Sequence, residues 1–175
     1  PNGNLIGAGV YRESGKNYQS GVFVYRIDQE TQGYQKWEYP ISKEAYARMH
    51  PYADAEGKFV SGTRQFRDFF LDHLVWQEVQ GLTIIGEQRR FDDDEDKYND
   101  ILVMQLDTTF KKQWATRIPK MQAAVWTQTD FTSYQFLRRH EKLYFLFNDN
   151  EENIPTTVSS IPQKVKVRDL NYLYS

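Results

Sequence analysis

The amino-acid sequence predicts an all-β fold built from tandem four-stranded antiparallel units, on three observations. A three-strand phrase occurs twice, as NLIGAGVYRESGKNYQSGVFVYRIDQETQGYQKWEYPI from Asn4 to Ile41 and as GLTIIGEQRRFDDDEDKYNDILVMQLDTTFKKQWATRIP from Gly81 to Pro119. The chain of 175 residues carries 12 Tyr, 11 Phe and 4 Trp, a load that favours strands because flat side chains pack well on a pleated surface. Its apolar runs are short and bounded by Gly, Asn and Asp clusters, the spacing of an antiparallel meander.

Taken in order, Leu5–Tyr11 reads as a strand after the turn signal Asn2-Gly3-Asn4, with Gly7 and Gly9 marking a bulge or a close approach of neighbouring backbone. Val22–Ile27 is the second strand and Tyr34–Tyr39, carrying Trp37 and stopped by Pro40, the third. Ser42–His50 has helix formers behind Ser42, a candidate N-cap, so one short helix is expected inside an insert over residues 42–63. Phe66–Gln77 should be the strand that precedes Gly81 in the same sheet.

Aligning the two phrases places Leu5–Gly9 on Leu82–Gly86, Phe23–Asp28 on Leu102–Asp107, Trp37 on Trp114 and Ile41 on Ile118. Only loop lengths change, as in duplicated structural units. Leu82–Gln88 should therefore pair with Ile101–Leu106 as Leu5–Tyr11 pairs with Val22–Ile27. Both Trp residues should be buried at equivalent places. The phrase recurs in weaker form at Leu143–Phe147, with Ser160–Leu170 as the next strand of that unit. The units run roughly over residues 1–41, 64–120 and 131–175. Four-stranded antiparallel units in tandem are the blades of a β-propeller, so the expected architecture is a partial β-propeller forming a single segment. The rival is a β-sandwich in which the two main units face each other.

The phrases GLTIIGEQ…YNDILVMQLD…WATRIPK and LYFLFNDN resemble the repeats of secreted β-propeller-like proteins of Bacteroidetes. The resemblance covers nearly the whole chain outside the insert. It implies an exported protein of the periplasm, outer-membrane surface or extracellular space, and it implies no activity, because that family has no assigned chemistry. The Asp…Gly…Trp pattern is also similar to quinoprotein dehydrogenase propellers, which hold a quinone and Ca²⁺. Those enzymes use a vicinal disulfide that a chain without cysteine cannot make.

With 22 basic and 24 acidic residues, net charge −2, the chain has no bulk field to draw in nucleic acid. The basic doublets Arg89-Arg90, Lys111-Lys112 and Arg138-Arg139 are each flanked by acid, unlike a nucleic-acid stripe. No apolar run reaches the roughly 18 residues of a membrane helix. Neither an initiator Met nor a signal peptide is present, so the chain is expected to be a trimmed piece of a longer protein. Its partners would be the remaining blades, another copy of itself, a protein or a glycan.

Two acidic loops carry the candidate site residues. Asp92, Asp94 and Asp96 place carboxylates at alternate positions, which would suit Ca²⁺ with its six to eight oxygen ligands. Lys97 and Val103 stand where an EF-hand needs Gly and Glu, and a solvated hairpin tip is the plainer reading. Asn148, Asp149 and Asn150 occupy the corresponding loop of the third unit, where they suit a turn or, with Glu87, a cation- or sugar-binding rim. Glu87 and Asp149 are also the one carboxylate pair to test for glycosidase work, which needs two such groups roughly 5–10 Å apart. His50, His73 and His140 lack ligand spacing, and His73 and His140 are expected at the surface beside the turn between the first two strands of their units. The functional expectation is a non-catalytic binding or scaffold module with no required cofactor. The alternative is an enzyme on a propeller scaffold, quinoprotein-like or glycosidase-like.

Overall fold

The structure, a computed structural model, describes residues 4–16, 18–42, 45, 68–91, 95–124, 132–140, 142–153 and 165–166. The insert expected to hold a helix lies outside them, apart from Ser42 and Ala45. There the Ser42 hydroxyl accepts the Ala45 N–H at 3.1 Å, the bond a helix N-cap makes.

Apart from Ala45, which is helical, everything regular in the described residues is strand but for one 3-10 turn. Strands β1 (Leu5–Tyr11), β2 (Gly21–Ile27) and β3 (Tyr34–Pro40) form an antiparallel three-stranded meander, the first sheet. The middle sheet is a second meander of β4 (Phe69–Gln77), β5 (Gly81–Phe91), β6 (Asp96–Leu106) and β7 (Lys112–Ile118). The other half of the β6 edge takes β8 (Gln122–Ala124). Strands β9 (Gln135–Arg139) and β10 (Lys142–Leu146) form a separate hairpin. The pairings expected for both repeats are present, Gly7 opposite Tyr25 in the first and Ile84 opposite Met104 in the second.

Alternation along the strands sorts side chains onto two faces, and every unit uses them alike. Ile6, Ala8, Val10, Val22, Val24, Trp37 and Tyr39 leave the back of the first sheet. They pack on Leu82, Ile84, Leu102, Met104 and Leu106 at the front of the middle sheet. Ile85, Ile101 and Val103 leave the middle sheet's back and pack on Tyr134, Phe136, Leu143 and Phe145 of the hairpin layer. The middle sheet is thus buried on both faces, which explains why β5 and β6 read as nearly continuous apolar runs. The two main units do face each other, as a sandwich would have it, but a third layer continues the stack.

Three expectations need correction. Trp114 is 45% exposed, whereas Trp37 is half-buried and stacks on Phe110 at 4.4 Å. Trp37 lies opposite Val24, but Trp114 lies opposite Gln105, so Trp114 takes the place of Gln35, which faces Arg26. The cause is a tighter turn into β7 followed by a β-bulge, where Leu106 pairs Lys112 and Gln105 pairs Trp114. The second correction is β11 (Val165–Lys166), which runs parallel to β8 in the middle sheet instead of joining the hairpin. The open β8 edge offers its backbone groups, and Val165 donates its N–H to Met121 O at 3.0 Å and is buried. Third, His73 lies within β4 opposite Ile85, its ring 5.4 Å from that of Phe136. It is exposed, as expected, but not beside the turn; His140 is at the β9–β10 turn.

Candidate functional site

Two β-bulges break the ladder of the middle sheet at one end. Across β4 and β5, Leu71 faces Gly86 and His73 faces Ile85, leaving Asp72 as the extra residue. Across β5 and β6, Glu87 faces Ile101 and Arg89 faces Tyr98, so Gln88 stands against two residues, Asn99 and Asp100. Bulges re-aim side chains, and these gather charge on the side facing the hairpin.

Glu87 and Lys120 are both fully buried, their charged ends 2.6 Å apart. The other Glu87 oxygen accepts Arg89 Nε at 2.8 Å and the Ser133 hydroxyl at 2.7 Å. Arg89 reaches Asp72 at 2.8 Å, and Asp72 accepts the Tyr134 hydroxyl at 3.0 Å. Lys120 also donates to Gln122 Oε1 at 2.7 Å, and Gln122 Nε2 donates to Asn148 O at 2.7 Å. Beside them the buried Arg117 pairs with Asp100, which also accepts the Lys120 backbone N–H at 3.3 Å. Desolvation pulls the Lys120 ammonium down to about 8, against the pull of Glu87 and of nearby Asp149. Burial raises the Asp72 carboxyl despite Arg89, and raises the Tyr134 phenol, with the Asp72 charge adding to it. Chemically the cluster is a lock between layers, since its members are bound to each other and Glu87 shows no surface to a substrate.

A groove of about 770 Å³ opens between β7 and the hairpin. Trp114, Thr116 and Ile118 form one wall and Arg138, Leu143 and Phe145 the other, with Thr83 and Gln105 between them and Asp107 and Gln113 at one end. Its polar groups are already oriented. Thr83 Oγ1 donates to Gln105 Oε1 at 2.7 Å, Gln105 Nε2 donates to Gln80 O at 2.7 Å, and Arg138 donates to Gln80 Oε1 at 2.7 Å. Asp107 accepts the Thr109 hydroxyl at 2.7 Å, the Lys111 N–H at 3.0 Å and Gln113 Nε2 at 2.8 Å, and these bonds hold its carboxyl below the usual range.

Of the residues marked in the sequence, Glu87 lies in the buried lock and Asp149 is near enough to Lys120 to favour its charge. Asp149 itself accepts Asn153 Nδ2 at 2.5 Å and the Asn150 N–H at 2.8 Å, bonds that close the turn Glu151–Asn153. Asn148 lines a smaller hollow of about 380 Å³ with Ser133 and Phe147. Asp96 begins β6 opposite Phe91 and Ala124, whereas Asp92 and Asp94 lie outside the described residues. Among the described residues no three His, Asp or Glu side chains converge as a metal site. The sequence reading missed Lys120, Arg117 and Asp72, which local pattern marks only as isolated charges. It also placed Trp114 in the core, although the two-residue change in Asp-to-Trp spacing between repeats pointed to a shift. Comparison with known protein families, curated proteins and solved structures finds no match to this chain.

Proposed function

We propose that the chain is a non-catalytic binding module, a partial β-propeller segment whose ligand surface is the groove beside Trp114. One observation carries this reading: a large aromatic face stands exposed next to amide, hydroxyl, carboxylate and guanidinium groups that are already held in place. An aromatic plane flanked by oriented hydrogen-bonding groups suits a neutral, polar ligand with apolar C–H faces, which is a saccharide. The propeller reading draws support from the front-to-back stacking of three repeated units, and the exported setting from the resemblance of the GLTIIGEQ and LYFLFNDN phrases. The glycosidase alternative draws none from the geometry, because Glu87 is spent on Lys120, Arg89 and Ser133.

A glycan array followed by Trp-fluorescence titration of the best binder tests the proposal. The expected result is saturable binding that Trp114→Ala abolishes while the variant still melts cooperatively. An array without hits, or a hit that Trp114→Ala binds equally well, would overturn it.

A further inference from the structure

The stack has two ends, and each leaves open a face that is covered elsewhere in the chain. On the front of the first sheet, Leu5 is 55% exposed, Ile27 39% and Tyr34 71%, and Phe23 and Tyr25 are half-buried. The register places Leu5, Phe23, Tyr25 and Ile27 where the middle sheet has Leu82, Leu102, Met104 and Leu106, all sealed beneath the first sheet. The Phe23 ring lies over Gly9 and meets the Tyr25 ring edge-on, their centroids 5.0 Å apart. A Cβ on Gly9 would come within 2.5 Å of the Phe23 ring, so only glycine admits the ring there. Gly7, opposite Tyr25, has open space in front of it, where the middle sheet has Ile84.

At the other end, the back of the hairpin presents Leu137, Tyr144 and Leu146, which are 54%, 43% and 61% exposed. Twice within the chain, a back face of one unit covers the front face of the next. The hairpin's back is the same kind of surface, with an exposed Leu and Tyr able to fill the slot in front of Gly7. We propose that two copies of this chain associate head to tail, the β9–β10 back of one seated on the β1–β3 front of the other. Such a contact is heterologous: each pair keeps one free front and one free back, so association continues into a closed ring or an open stack. Exposed apolar clusters of this kind often mark protein–protein contacts. The front also carries the Lys36–Glu38 ion pair, with Lys36 5.3 Å over the Phe23 ring, and the back carries Arg139 and Lys142. The proposal stands apart from the saccharide groove, whose walls belong to the middle sheet and the inner face of the hairpin.

Sedimentation velocity over a concentration series tests it with the wild-type chain, Tyr25→Glu (front) and Leu146→Glu (back). Leu5→Glu, at a more exposed front position, replaces Tyr25→Glu if that variant fails to melt cooperatively. The wild type should gain mass with concentration, and each variant alone should stay monomeric. An equimolar mixture of the two should form dimers and stop there, because one partner supplies only a back and the other only a front. Trp114→Ala should associate like the wild type. A wild type monomeric throughout, a single variant that still associates, or a mixture that stays monomeric would each overturn the head-to-tail contact.

Discussion

Phe110 shows how one side chain joins two units. It sits in the turn opened by Asp107 with φ of 64°, a left-handed conformation that is uncommon for a bulky residue. The ring is nonetheless 2% exposed, stacked on Trp37 and 5.7 Å from Trp76, and its carbonyl accepts the Tyr39 hydroxyl at 2.5 Å. Removing a buried ring of this size costs about 3–5 kcal/mol, so Phe110→Ala should lower the urea midpoint steeply. Trp114→Ala should cost about 1 kcal/mol or less in the same assay, as for other surface changes. Lys120 adds a pH dependence. Its proton is lost near 8 in the folded chain, against 10.5 for an ordinary lysine, so between these values the unfolded state binds more protons. Stability should therefore rise with pH from about 8. Burial keeps the Tyr39 phenol protonated up to about 12, against an ordinary 10.0, and Tyr134 is likewise raised, so the unfolded chain loses those protons first. Their contribution falls as pH passes through that higher window. Urea melts across the series should show the early rise in the wild type and not in Lys120→Met. A rise that survives in that variant would mean that Lys120 is not its source.

Within the elements, the charged lock depends on its bulges. Lys120→Met alone leaves the Glu87 charge buried without its lysine, and breaking a buried pair in this way costs about 3–5 kcal/mol. Adding Glu87→Gln to Lys120→Met should recover part of that loss, a coupling read from a double-mutant cycle of denaturant melts. The turn from β4 to β5 is as demanding. Gly81 has φ of 85°, and a Cβ there would lie 2.3 Å from Leu106 O, so Gly81→Ala should destabilise by more than about 1 kcal/mol. The strands were legible in the sequence because alternation and turn residues act locally. Leu82–Gly86 and Leu102–Leu106 repeat Leu5–Gly9 and Phe23–Ile27 closely enough to show which strands pair. The lock was not legible, because it joins residues 72, 87, 120 and 134 across the middle sheet and the hairpin layer, and the bulges that bring them together leave no local mark. The parallel contact of Val165 with Gln122 was missed for the same reason, since an alternating pair of valines does not say which edge it will join.

At the scale of the molecule, the account is of units stacked front to back, each burying the face that the one before it leaves open. No helix among the described residues is long and apolar enough to cross a membrane, and the apolar residues go instead into the two interlayer cores. The proposed head-to-tail association and the proposed saccharide groove both rest on this order of faces, because the groove is lined by the middle sheet and the hairpin. The most direct measurement is a methyl–aromatic NOESY on selectively labelled protein. Val22 and Val24 should show cross-peaks to the group holding Leu82, Ile84 and Met104, and Ile85 and Val103 a separate set to Tyr134, Phe136 and Phe145. Cross-peaks from Val103 to the Val22 and Val24 methyls, with none to the hairpin aromatics, would contradict the stack and establish a two-layer sandwich.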